Sequence, residues 1–397
     1  MAVASGLIGQ CCHQNPALPS AAPTDFCPNQ TMKLATYQDG SRDGQLVVVS
    51  RDLTQAHFAN GIASRLQQVL DDWNFLSPQL QDLYVTLNQG KARHAFAFEP
   101  RQCMAPLPRA YQWACGSATL HPQNRQGQGA GQAQAVSATL APWISQRASD
   151  DLLGPCQEAW FGAESWDIDF GAGLAVITGD VAMGASATQA LDNVRLLMLV
   201  NDWTLRHFQR DAQTAAAADD LAPYPSPLHS QPASAFSPVA VTPDELGPAW
   251  AGGRVQLMLQ STWNGKRVGA TECGPEMPCH FGELIAHLAT TRHLRAGCIV
   301  GSGTISSSDA TRGYHCIADK RAQESASSGQ AATRYLQSGD SVRIEMNGRD
   351  GLSLFGAIVQ RVAGPENLAE AEAEAEAAAA AAAAEGEDAG AAAPPAD

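Results

Sequence analysis

Ten cysteines are the residues of this 397-residue chain with the most versatile chemistry: Cys11, Cys12, Cys27, Cys103, Cys115, Cys156, Cys273, Cys279, Cys298 and Cys316. A thiolate can attack a carbonyl, hold a soft metal ion or close a disulfide. Zinc sites draw on closely spaced Cys and His pairs, and the chain has no CxxC pair and no zinc spacing. Cys279-His280 has no partner pair nearby and reads as structural. Cys115 reads as a buried, inert thiol rather than a nucleophile or soft metal ligand. The set as a whole fits reduced, mostly structural thiols in a cytoplasmic protein.

The formal charge of -15 argues against a nucleic-acid partner, because phosphate binding needs clustered Lys and Arg. Much of that charge lies in the tail. No basic residue follows Arg361, whereas Glu366, Glu370, Glu372, Glu374, Glu376, Glu385, Glu387, Asp388 and Asp397 do. Apolar residues make up 45% of the chain, enough for a sizeable core. No apolar run approaches the ~18–20 residues of a membrane span, so no membrane partner is expected.

The elements that would position a site fall into two modules. Residues 1–31 contain no Lys or Arg and read as a disordered leader. Residues 32–106 form a small N-terminal domain: QLVVV at 45–49 is a short β-branched strand. Ile62, Leu66, Val69, Leu70 and Trp73 recur at helical spacing, as do Leu80, Leu83 and Leu87 before Gly90. Residues 107–363 form the larger domain. Leu174 to Ile177 is a buried strand, and Ser186 can cap a helix whose apolar face takes in Ala190, Val194, Leu197 and Met198. Residues 255–259 are a strand, and Asn264-Gly265 signals a hairpin. Phe281, Leu284, Ile285 and Leu288 mark another helix. Residues 342–346 alternate as a half-buried strand, and 352–359 return beside them. Residues 123–134 and 212–231 read as loops, and 364–397 as a disordered Ala/Glu tail. Strands without regular intervening helices predict an α+β protein with mixed sheets rather than a doubly wound fold.

Several strings, in order, resemble the fumarylacetoacetate hydrolase family, in its bacterial two-domain branch. They include MKLATYQDGSRDGQLVVVSRDL from Met32, LQDLYVTLNQGKARHAFAF from Leu80, MAPLPRAYQWACGSA from Met104 and WDIDFGAGLAVITGDVAMG from Trp166. RLLMLVNDWTLR from Arg195, AFSPVAVTPDELG from Ala235, LQSTWNGKRVG from Leu259, HFGELIAHLA from His280 and GSGTISSSDATRGYHCIADKR from Gly301 follow. The resemblance implies a small N-terminal β-barrel-like domain before a mixed β-sandwich roll, and a homodimer. It also implies hydrolysis of carbon–carbon bonds in β-diketo acids such as fumarylacetoacetate or an acylpyruvate, as in aromatic amino-acid catabolism. A Mg or Ca ion would hold the dicarbonyl oxygens while a His with a carboxylate partner activates water. That chemistry suits a hard cation with oxygen ligands beside a base of near-neutral pKa.

Site residues carried over from the resemblance are few. Asp202 matches a metal ligand, Gln209 a substrate-contacting Gln, and Gly303 and Thr304 the GSGT segment whose Thr meets the substrate carboxylate. The family's D-F-E-x-E strand is here Asp169-Phe170-Gly171-Ala172-Gly173, with Gly where both metal-binding Glu belong. Cys115 stands in place of an Asp, Pro122 in place of the catalytic His, and Gln231 in place of a Lys. No catalytic residue is assigned: His121 could serve as base only through a one-residue shift, and Asp169 is an Asp that the family does not use as a ligand. The losses fall on the chemistry while the scaffold strings survive. This predicts reduced or lost activity, with a catalytically inactive binding or dimerisation partner as the alternative.

Overall fold

The protein is described by a computed structural model, which covers residues 30–116, 142, 144–209, 228–307 and 309–365. The leader, most of the tail and the two loops expected at 123–134 and 212–231 lie wholly or largely outside those residues.

Two sheets face one another. The larger has eleven strands, running in space from Phe96–Ala97 through Gln55–Phe58, Gln45–Val49, Lys33–Tyr37, Ala240–Val241, Val194–Asn201, Ala172–Thr178, Ile299–Thr304 and Trp113–Gly116 to Ile144–Arg147. Ala235–Phe236 pairs with Val194–Asn201 off that path. Ile299–Thr304 runs parallel to Trp113–Gly116 and antiparallel to Ala172–Thr178. The second sheet orders Lys266–Glu272, Met258–Trp263, Ser341–Met346, Ile358–Ala363 and Ala159–Trp160, its last pair parallel. Both sheets are therefore mixed, as the α+β reading requires. The N-terminal strands do not close on themselves; they continue the large sheet through the pairing of Lys33 with Val241.

Alternate side chains of the central strands face opposite sides of the sheet. Leu174, Val176, Leu197 and Leu199 join a core with Leu259, Ile344 and Ile358 of the second sheet. Ala175, Ile177, Leu196 and Met198 face the other way, into a core with Leu66, Val69, Leu70, Leu80 and Leu87 of the helices Leu66–Asp71 and Trp73–Asn88. With both faces covered, these strands can be apolar throughout. Each fully buried Leu or Ile contributes ~1.5–3 kcal/mol.

That two-sided burial corrects one expectation. Ser186 does cap a helix, accepting from the Gln189 amide, but the helix is only Ala187–Leu191. Val194, Leu197 and Met198 belong to the strand Val194–Asn201. The expected strand at 255–259 is divided between Arg254–Val255 and Met258–Trp263, and the return after residue 352 becomes a strand only at Ile358–Ala363. The hairpin at Asn264-Gly265 is present, with φ of 47° and 74° as a type I′ turn needs. The helix Phe281–Leu288 and the strand Ser341–Met346 also form as expected. Among the described residues no helix is long and apolar enough to cross a membrane.

Candidate functional site

Gly171, Gly173, Asp202, Gly303 and Thr304 meet where three central strands of the large sheet come together. Gly173 pairs with Val200 on one side and with Thr304 on the other. The Asp202 amide donates to the Gly171 carbonyl (2.8 Å) and the Gly171 amide to Asn201 Oδ1 (3.0 Å). The pairing of Ile299–Thr304 shifts register between Gly301 and Thr304, and Gly303 there adopts φ +79°. A left-handed residue at such a bulge is tolerated best as glycine.

Asp202 directly follows the strand Val194–Asn201, and both its oxygens are engaged. Arg147 donates from Nε to Oδ1 (3.0 Å) and Oδ2 (3.1 Å) and from Nη2 to Oδ2 (2.8 Å). Ser234 Oγ donates to Oδ1 (3.0 Å) and itself accepts from the Trp113 indole (3.0 Å). Burial works against the Asp202 carboxylate, but Arg147 and Ser234 outweigh it and hold its pKa below the ordinary value. Burial likewise opposes the charge on Arg147, and Asp202 more than restores it. Two-point guanidinium–carboxylate pairing of this kind is the strongest form such a contact takes. Cys115 lies fully buried against the pair; burial and the negative charge of Asp202 push its thiol far up, so it is not a thiolate at neutral pH.

Asp169 has a different task. It is fully buried and accepts from the Ile317 amide (2.6 Å), the Ala318 amide (3.0 Å) and Arg206 Nε (2.9 Å). It thus holds the start of the helix Ile317–Ser328, where orphan amides and the helix dipole favour an anion. Gln209 is turned to the same arginine, with its Oε1 accepting from Arg206 Nη1 (2.9 Å). Pro122 and His121 lie outside the described residues. Reading the sequence missed Arg147, Arg206 and Ser234. Each lies far along the chain from its partner or on a short, featureless segment, so no local spacing marks it.

A divalent cation here would need converging carboxylates. The described residues do not fit one. A Cβ at Gly171 would come within 2.7 Å of the Asp202 carbonyl oxygen and 2.9 Å of Thr304 Oγ1, and one at Gly173 within 2.4 Å of the Gly303 carbonyl oxygen. The backbone has closed over both positions. Among the described residues no three His, Cys, Asp or Glu side chains converge as a metal site.

Comparison with known proteins agrees with this geometry in fold. The chain matches the fumarylacetoacetase N-terminal domain 2 family over residues 32–109 and the fumarylacetoacetate hydrolase C-terminal family over residues 112–363. No curated protein matches its sequence. Among solved structures it is similar to a probable 2-hydroxyhepta-2,4-diene-1,7-dioate isomerase from Mycobacterium abscessus (17% identity, 84% of this chain and 98% of that one, TM-score 0.55). It is also similar to a fumarylacetoacetate hydrolase from Exiguobacterium antarcticum (16%, 84% and 99%, TM-score 0.56). A third is the maleylpyruvate hydrolase of Sphingobium sp. SYK-6, solved with manganese(II) and pyruvate (14%, 84% and 99%, TM-score 0.53). At these identities the structures speak for fold alone; with the family match spanning most of the sequence, they establish that the chain belongs to the fumarylacetoacetate hydrolase family.

Proposed function

We propose that this chain keeps the family's fold but not its metal-dependent cleavage of β-diketo acids, and acts as a non-catalytic binding or dimerisation partner, homodimeric and cytoplasmic. One observation supports this reading above the others: the guanidinium of Arg147 sits on both oxygens of Asp202, the one family metal ligand left. A divalent ion ~4 Å from that guanidinium would meet a repulsion of about 8 kcal/mol at an effective dielectric of ~20. Glycine at 171 and 173 supplies no compensating ligand, and Pro122 cannot accept a proton. Losing one charge-stabilising donor costs ~10²–10³ in rate and losing a general base ~10²–10⁴. Together these losses leave little turnover.

The test is to incubate the purified protein with Mg²⁺, Mn²⁺ or Ca²⁺ and fumarylacetoacetate or an acylpyruvate while following the diketo absorbance. No loss above the metal-free control is expected, and calorimetry should show no micromolar Mg²⁺ or Mn²⁺ binding. Stoichiometric binding at that affinity, or metal-dependent turnover, would overturn the proposal. It would favour the second reading, an active metal-dependent hydrolase drawing ligands from residues outside the described ones. That reading has Gln209 and Thr304 on its side, both present at the positions expected of substrate contacts.

A further inference from the structure

The second sheet buries one face and leaves the other open. Exposure alternates along Met258–Trp263, Ser341–Met346 and Ile358–Ala363. Leu259, Val342, Ile344, Ile358 and Val362 turn inward to the core shared with the large sheet. The residues between them turn outward and are exposed or half-buried. Three large apolar side chains stand on this outer face: Met258 (41% exposed), Val359 (41%) and Trp160 (42%), the last beside the inward-facing Ala159.

An antiparallel sheet can show one face to water, so an open polar face alone calls for no partner. The charges on this one, however, are sorted by end. Arg267 pairs with Thr262 and Thr262 with Arg343, which sets both arginines in one row across the strands, with Lys266 beside Arg267. Glu345 pairs with Gln260 and Glu272 with Met258, so both acids lie toward the other end. Two strands that are not neighbours thus carry the same order. Lys266–Glu272 runs from cations to Glu272, and Ser341–Met346 from Arg343 to Glu345. Arg343 pairs with Glu345 within its own strand (2.6 Å), whereas Lys266, Arg267 and Glu272 make no ion pair among the described residues.

Such a face is complementary to itself. A two-fold axis lying in the face and crossing the strands sets Glu272 of one copy over Lys266 and Arg267 of the other, and Glu345 over Arg343. An axis running along the strands would set cation over cation, so the charges choose between the two. We infer that this outer face docks a second copy of the chain, face to face about the crossing axis, covering Met258 and Val359. The inference rests on the homodimer of the proposed function and names its surface. Five strands spaced ~4.8 Å apart, with six residues rising ~3.4 Å each, give a face of about 20 by 20 Å. That extent belongs to the small, weak end of specific interfaces.

Sedimentation equilibrium of the full chain at about 1–100 µM tests this, with Tm recorded for each variant. A monomer–dimer equilibrium in that range is expected. It should weaken with salt, which shortens the Debye length from about 10 Å at 0.1 M to about 3 Å at 1 M. Lys266, Arg267 and Glu272 are exposed, so changing them should leave Tm unaltered. Glu272→Lys alone, or Lys266→Glu with Arg267→Glu, should weaken dimerisation about tenfold or more. All three changes together exchange the two ends and should return the affinity to within about threefold of the wild type. Val359→Asp should weaken it whatever the salt. A dimer indifferent to these variants, or a triple variant no tighter than its parents, would overturn this assignment alone and leave the homodimer to another surface. A monomer throughout, up to about 100 µM, would overturn the assignment and the proposed homodimer together.

Discussion

The side chains of Arg147 and Asp202 are only 10% and 7% exposed, so neither is indifferent to loss of the other. Removing one member of a buried pair strands a charge in a low dielectric, whereas replacing both with apolar groups is often nearly neutral. Asp202→Ala should therefore lower stability by ~3–5 kcal/mol, and Arg147→Met with Asp202→Leu should cost clearly less than the two single changes added together. Urea unfolding of the wild type, Asp202→Ala, Arg147→Met, Asp202→Leu and the double variant measures this. Additive losses would show that the two residues are not coupled. A second residue governs the response to acid. His315 is fully buried, with Nδ1 on Ser261 Oγ at 2.8 Å, and burial lowers its pKa to about 4 although Asp319 acts to raise it. The unfolded chain binds this proton near pH 6.5 and the native protein only near pH 4. The contribution is thus fully present above about pH 6.5 and is lost as pH falls toward 4, by up to ~3 kcal/mol. Between pH 7 and 4 the wild type should lose that much more stability than His315→Gln; parallel pH profiles would refute the assignment. At this scale the sequence was informative where a side chain is missing. Gly171 and Gly173 have no side chain with which to ligate a metal, whatever surrounds them. It was silent on Arg147, because an arginine 55 positions from its partner looks like any other surface cation until the strands are placed.

At the scale of elements, the same glycines are a packing requirement. A Cβ on Gly173 would lie 2.4 Å from the Gly303 carbonyl oxygen, which is backbone and cannot swing away. Gly173→Ala should cost ~1–3 kcal/mol by forcing Ala172–Thr178 away from Ile299–Thr304. Chemical denaturation of this variant checks it, and an unchanged midpoint would mean that the strands separate freely. Reinstating carboxylates by Gly171→Glu and Gly173→Glu would accordingly damage the sheet before it created a metal site. Two apolar segments show how far such elements can be read from sequence. Leu174 to Ile177 was legible as a strand because it is short and β-branched. Val194 to Met198 looked helical because a strand buried on both faces loses its alternation. Only the second sheet and the helices packed on opposite faces supply the layers that make it a strand.

For the whole molecule, the N-terminal segment is part of the main sheet and its helices cover one face of it. Leu196, Met198, Ile177 and Ile299 share a core with Leu34, Leu46, Leu66 and Leu80. A fragment of residues 112–363 would expose that apolar face and leave Ala240–Val241 without the neighbouring strand. Such a fragment should aggregate or remain expanded, which size-exclusion chromatography would reveal. A soluble, compact monomer would show that the two family regions fold independently.

The pairing of Lys33 with Val241 also sets a timetable. The strand Lys33–Tyr37 leaves the ribosome early and can form its hairpin with Gln45–Val49 at once. Its other edge stays open until roughly 200 further residues have been made, which at ~5–20 residues per second is roughly 10–40 s. During that interval an unpaired apolar edge is displayed to other nascent chains. The yield of native protein should therefore depend on translation speed and on chaperones that shield that edge, whatever the stability of the finished sheet.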